Sequence, residues 1–138
     1  TSATSPAANT LLAALPADLR AVMKPATKYS DNTGGGSDTA SYVTSTTDLL
    51  PPLSEFEYHG ARTYANSAEK NYQAQYDYYK AGNSKVHYKH NATGTAAYAW
   101  CRSVYSGYSG SFCLVNTDGS AIIGNAGNSW ALAPCFFV

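Results

Sequence analysis

Short bursts of apolar residues, separated by stretches of Ser, Thr, Asn, Gly and Pro, set the rhythm of this chain. Residues 15–23 carry an amphipathic helical pattern, with Pro16 in the first turn and Pro25 to stop it. Residues 30–38 are a loop by composition. The spacing predicts a longer helix over 68–81, where Asn66 can cap with Glu69 three residues on and Gly82 closes the element. Tyr72, Tyr76 and Tyr79 fall at i, i+4 and i+7 of that helix, a stripe expected to pack on a sheet. Residues 85–90 alternate at the strand period. From residue 96 onward the pattern is all strand, over 97–102, 112–115, 120–123 and 130–138, with Asp118-Gly119 as a hairpin turn. Trp100, Phe112, Val115, Trp130, Leu132 and Phe136 are the large anchors expected in the core. Together these elements predict an α+β domain: a small antiparallel sheet, one or two helices and much irregular structure. Residues 1–10 read as a tail or the remnant of a longer protein, and 11–138 as one domain.

Composition narrows the function. The 138 residues suffice for one core and no more, and 44% apolar content excludes wholesale disorder. Nine Lys+Arg against nine Asp+Glu give no net charge, so the basic excess that grips nucleic acid is missing. No apolar run has the length of a membrane span. Beyond Arg102 the only charged residue is Asp118. Twelve tyrosines among many Ser, Asn and Gly make the composition of a recognition surface, because Tyr offers large contact area at little rotamer cost.

Candidate chemistry is sparse. Glu55 and Glu57 are the one close carboxylate pair, readable as an acid/base pair or as structural hydrogen-bond acceptors. Arg102 is expected to be a buried charge held by one of them. A strand places His87 and His90 on opposite faces, against a metal pair, and the glycines at 34–36 lack the Lys-Ser/Thr of a phosphate loop. Cys101, Cys113 and Cys135 have no metal-type spacing and read as buried small hydrophobes, or as one disulfide with a spare thiol.

The last forty residues mix anchors with fillers that have no periodicity of their own. Trp100-Cys101-Arg102-Ser103, Phe112-Cys113-Leu114-Val115, Gly119-Ser120-Ala121 and Leu132-Ala133-Pro134-Cys135-Phe136 carry a resemblance, supported upstream by 53–57 and 82–86. With them the chain resembles the variable proteins of phage and bacterial diversity-generating retroelements, which are similar to the formylglycine-generating-enzyme branch of the C-type lectin-like fold. Cys101 stands where that pattern has Leu, Val104 where it has Pro, and Pro51-Pro52 interrupts an apolar stretch. The resemblance implies a C-type lectin-like domain over 11–138 with a variable region at about 98–138. It also implies a non-enzymatic receptor-recognition role without cofactor or metal, on a phage tail or a bacterial cell surface. The partner would be a host-surface or other protein, with no nucleic acid and no membrane insertion, and an oligomer stays open.

Within that frame Tyr105 and Tyr108 are the expected contact anchors. Ser106, Ser109, Ser111, Asn116, Ser120, Asn125 and Asn128 would be the polar contacts, and Val104, Leu114, Ile122 and Ile123 the apolar ones, all on one solvent-facing surface. The alternatives are a structural tail or decoration protein, and a Ca²⁺-dependent sugar-binding lectin, for which the C-terminal stretch offers only Asp118 as a carboxylate. An enzyme of the formylglycine type would need a reactive thiol pair, yet Cys113 and Cys135 sit among Phe, Leu and Pro.

Overall fold

The computed structural model describes residues 4–138. Helix α1 (Ala17–Val22) leads into a hairpin of β1 (Ala26–Asp31) and β2 (Val43–Asp48), followed by the short helices α2 (Glu55–His59) and α3 (Asp77–Lys80). A second hairpin pairs β3 (His87–Lys89) with β4 (Ala92–Ala97), and β5 (Ala99–Val104), β6 (Ser111–Val115) and β7 (Ala121–Asn125) form an antiparallel sheet in that order. The protein is therefore a small mixed α/β domain of antiparallel sheets and few helices. The first three residues of the expected tail lie outside the described residues; Thr10 closes a turn onto the Ala7 carbonyl.

Helix α2 has a buried face all round. Ser54 caps it reciprocally, accepting from the Glu57 N–H (3.1 Å) and donating its own N–H to Glu57 Oε2 (2.8 Å), and Gly60 ends it in the left-handed region at φ 70°. Ser54, Glu55, Phe56, Glu57 and Tyr58 are all buried. Phe56 and Tyr58 join Leu53, Ala65, Ala99, Cys101, Cys113 and Val115 in the main apolar core. Two buried carboxylates on the same short helix require partners. Glu55 accepts the backbone N–H groups of Thr63, Tyr64 and Ala65 at 2.7–3.1 Å, and so shapes the loop after the helix. Glu57 is held between Lys28 (2.8 Å) and Arg102 (3.0 Å). Of the two readings of this pair, the structural one holds.

A bulge in β5 delivers Arg102. Trp100 pairs with Leu114 and Val104 with Phe112, so three residues of β5 face one of β6. The surplus residues turn toward α2. The Arg102 N–H bonds the Leu53 carbonyl, and Ser103 Oγ accepts the Glu55 N–H and donates to Glu69 at 2.7 Å. Glu69, fully buried, also accepts the Asp31 N–H at 2.9 Å, which ties β1 to the same network.

That network breaks the helix expected over 68–81. The segment is a 3₁₀ turn (Ser67–Asn71), an irregular stretch, and then α3. Glu69 is drawn inward, Gln73 bonds the Tyr29 carbonyl and the Ser54 hydroxyl, and Gln75 bonds the Tyr58 carbonyl. These tertiary bonds replace an i→i−4 ladder. The tyrosine stripe divides accordingly: Tyr76 and Tyr79 pack on the core, whereas Tyr72 is 56% exposed and stacks on Tyr29 at 4.4 Å.

The C-terminal strand expected over 130–138 is also replaced. Ala131 bridges Ala99 in parallel, Pro134 bridges Pro52, and Phe137 bridges Lys24, three partners in seven residues. Val115 alone of the six expected anchors is fully buried. Trp100, Phe112 and Trp130 are half-buried, while Leu132 (48%) and Phe136 (41%) are exposed. All three cysteines are free; burial pushes the thiols of Cys101 and Cys113 far up, as inert core groups.

Removing Arg102 leaves the buried Glu57 carboxylate with Lys28 as its one cationic partner, so Arg102→Ala should cost about 3 kcal/mol in a denaturant melt. An unchanged midpoint would contradict the pairing. The pH response follows from the same groups. Burial pushes the Glu57 carboxyl up, but Arg102, Lys28 and the Ser54 N–H outweigh it and hold the group below its ordinary 4.5. Its stabilisation is therefore present above 4.5 and lost as pH falls through the folded value. Burial pushes Glu69 the other way, above 4.5, so its contribution is present below 4.5, lost as pH rises, and partly offsets that of Glu57. Burial lowers His59 and His87 from 6.5, so their contribution is present above 6.5 and lost as pH falls. Thermal melts should show an acid limb beginning just below pH 6.5, which His59→Gln with His87→Gln should flatten.

Candidate functional site

The sheet β5–β6–β7 has two unlike faces. Ala99, Cys101, Cys113 and Val115 point into the core, and strand alternation turns Trp100, Phe112, Leu114, Ile122 and Gly124 the other way. Trp100 and Phe112 meet edge to face at 5.7 Å on that outer side. Trp130 comes to the same side because the Ala131 N–H bonds the Tyr98 carbonyl and the Trp100 N–H bonds the Ala131 carbonyl, both at 2.9 Å. Its indole lies against Gly124, where a Cβ would stand 2.9 Å from Nε1 and 2.5 Å from Leu114 Cδ1.

Three clefts follow one another along this side. The largest, about 670 Å³, runs between the β3–β4 hairpin and the C-terminal segment and is lined by Tyr88, Lys89, His90, Tyr98, Thr117, Trp130 and Leu132 among others. The second, about 300 Å³, shares Leu132 and adds Trp100, Phe112, Ala126 and Asn128. A third, about 230 Å³, shares Phe112 and reaches Val104, Arg102 and the 31–34 loop. Tyr98 and Trp130, with ring centroids 4.7 Å apart, form the wall of the first. The result is a continuous aromatic and aliphatic strip with amides, hydroxyls and the side chains of Lys89, His90 and Arg102 at its borders. The only carboxylate that lines it, Asp31, is already engaged by the N–H groups of Thr33 and Gly34 and by Asn66.

The residues expected to make contact divide three ways. Tyr108 (59%), Ser109, Ser120, Asn125 and Asn128 are exposed, and Asn128 lines the second cleft. Gly36 places the Tyr108–Ser109 loop: at φ 66° its Cα approaches so closely that a Cβ would lie 2.6 Å from the Ser109 nitrogen. Tyr105, Ser111, Asn116, Ile122 and Ile123 are half-buried. Tyr105 packs edge-on to Tyr64 at 5.8 Å, and Asn116 bonds Ser120 across the hairpin turn.

Val104, Ser106 and Leu114 are corrections, because all three are buried. Ser106 donates to the Tyr64 carbonyl (3.0 Å) and accepts from Arg62 (3.1 Å), so its hydroxyl is engaged. Leu114, 2% exposed, points outward but is covered where it and Trp130 converge on Gly124. Ile122 and Ile123 lie on opposite faces, Ile122 beside Leu114 and Ile123 beside Cys113, so the expected set is not a single surface. The strip is built instead from Tyr88, Tyr98, Trp100, Phe112, Trp130 and Leu132. A sequence signal for two of these existed: with Cys101 and Cys113 inward, alternation turns Trp100 and Phe112 out.

The other candidate groups have structural partners. His87 Nε2 meets the Tyr58 hydroxyl at 3.1 Å, and burial raises that phenol strongly. Among the described residues no group of three or more His, Cys, Asp or Glu is placed to hold a metal ion, and no helix is long and apolar enough to cross a membrane.

Two antiparallel hairpins and a three-stranded sheet around a buried, charge-bearing helix thus define a small α/β domain with an aromatic strip on one side of the sheet. The chain belongs to the DUF6273 family, a domain of unknown function, whose sequence profile matches residues 8–138. Neither a curated protein nor a solved structure matches the chain.

Gly124→Val should force Trp130 and Leu114 apart and cost about 1–3 kcal/mol of stability. It should also red-shift the tryptophan emission and increase its quenching by acrylamide. A variant as stable as the parent, with unaltered quenching, would show that Trp130 does not rest there.

Proposed function

We propose that this protein is a non-enzymatic recognition module that holds a protein ligand against the strip from Tyr88 through Trp130 and Leu132 to Phe112. The observation that carries the reading is the division of side chains. The buried carboxylates Glu55, Glu57 and Glu69 are spent on internal partners, while large aromatic residues stand half-exposed around adjoining clefts. Contiguous apolar surface bordered by amides, hydroxyls and a few cationic side chains suits a protein partner, whose side chains fill such clefts and leave a wettable rim. A C-type lectin-like scaffold of the variable-protein type accords with the motifs around Trp100, Phe112 and Leu132. On that reading the module works at a phage tail or bacterial surface and meets a host-surface protein.

The test is capture from bacterial envelope protein extracts by the immobilised domain. Single substitutions Trp100→Ala, Leu132→Ala and Tyr108→Ala should each weaken captured binding by about 1–4 kcal/mol. Leu132→Ala and Tyr108→Ala, both at exposed positions, should leave the melting temperature nearly unchanged. Capture that is unaffected by all three, or that is abolished by a chelator, would remove the reading. A near-copy of the coding region for 98–138, differing at adenines and lying beside a reverse transcriptase gene, is the genomic observation expected of the variable-protein class.

A further inference from the structure

Strand β7 is an open edge, and its open side has a regular hydrogen-bonding pattern. The Asn116 N–H bonds the Ser120 carbonyl and the Ala126 N–H bonds the Gly110 carbonyl, which brackets the β6–β7 ladder. Alternation then gives the even-numbered Ile122 and Gly124 to β6 and turns the N–H and C=O groups of Ala121 and Ile123 outward. Among the described residues no backbone group pairs with them from that side.

Edges are normally guarded by a charge, a proline or a bulge. The β3–β4 hairpin has Lys89 and a register shift, and β2 ends in Asp48. In contrast, β7 runs in unbroken register through five pairs, and from Ser120 to Val138 the chain carries no charged side chain.

We propose that β7 is the docking edge for a second copy of this chain, forming a two-fold dimer by antiparallel β7–β7 pairing centred on Ile123. The strand is complementary to itself in that register. Ile123 meets Ile123 of the partner subunit and exchanges both bonds with it, and Ala121 faces the partner's Asn125, whose carbonyl also accepts the Asn128 N–H at 3.0 Å, so the strand pairing ends there. Two copies of a chain with nine charges of each sign approach without net repulsion, and the meeting edges hold no like charges to separate them. A lysine-bearing or acidic partner strand would find no counter-charge on this edge, which favours the neutral self-pair. The product is a six-stranded sheet whose two-fold axis leaves both outer faces on the same side. Both aromatic strips then point one way, a bivalent arrangement that multiplies avidity; this last consequence, unlike the dimer itself, rests on the recognition reading.

The experiment is light scattering and sedimentation of the full chain, with amide exchange followed residue by residue. At up to about 100 μM the parent should reach twice the 14.6 kDa chain mass, and the Ala121 and Ile123 amides should gain protection as concentration rises. Ile123→Pro removes the outward donor together with a half-buried side chain beside Cys113, and should give a less stable but folded monomer. If that variant fails to fold, Asn125→Lys, at an exposed position, should still weaken the dimer at least tenfold. A chain that stays at 14.6 kDa overturns the proposal. So does a dimer that survives Asn125→Lys with unprotected Ala121 and Ile123 amides. Protection that appears only when an added extended peptide binds would assign the edge to a different occupant. Strip variants such as Leu132→Ala should dimerise like the parent, so failure of the dimer and failure of ligand capture are read separately.

Discussion

A carboxylate buried between a lysine and an arginine holds three distant parts of the chain together. Glu57 sits on a five-residue helix with no solvated side, Lys28 comes from the first hairpin, and Arg102 from the bulged strand of the central sheet. Desolvating these groups is expensive, and the arrangement is tolerable only because each is paired and hydrogen-bonded. The Ser54 capping box, the Ser103 bridge to Glu69 and the Arg102 bond to the Pro52 carbonyl all serve that condition. Burial of Tyr58 and Phe56 follows, since the helix can enter the core only with its charges satisfied.

Such a core has a geometric consequence for the sheet. The bulge that aims Arg102 and Ser103 at α2 turns β5 toward the polar network, and the small residues Ala99, Cys101 and Cys113 allow close packing on that side. The bulky residues are thereby left for the other side. No helix covers Trp100 and Phe112; a thin C-terminal segment crosses there, anchored by single bridges to Ala99, Pro52 and Lys24. The buried polar network lies on one face of the sheet and most of the available contact area on the other, except where Leu114 and Gly124 are covered by Trp130.

This separation also orders the dynamics expected of the chain. Segments held by buried polar bonds, such as 54–58 and 63–69, belong to the cooperative unit, whereas residues 107–109 and the tip of the β3–β4 hairpin are exposed and open most readily. Both flexible pieces border the strip. Adaptable borders around rigid aromatic residues suit recognition, because the aromatic groups lose little entropy on contact.

Several features were legible from the residues alone. The Asp118-Gly119 hairpin, the central strands within two residues, the α+β class, the unpaired thiols and the Arg102–carboxylate pair all follow from local turn chemistry, alternation and the cost of an unpaired charge. Tertiary structure alone decided the rest. The segment 68–81 has a helical pattern, but Glu69, Gln73 and Gln75 gain more from tertiary partners on β1, β5 and α2 than from continuing a ladder. The C-terminal segment finds three partners distant in sequence, which no local period encodes. Alternation separates two faces of a strand without saying which one the chain will cover. Here the buried carboxylates of α2 chose the face of the small residues, and so left the tryptophans, large enough to pass for core, half-buried on the other side.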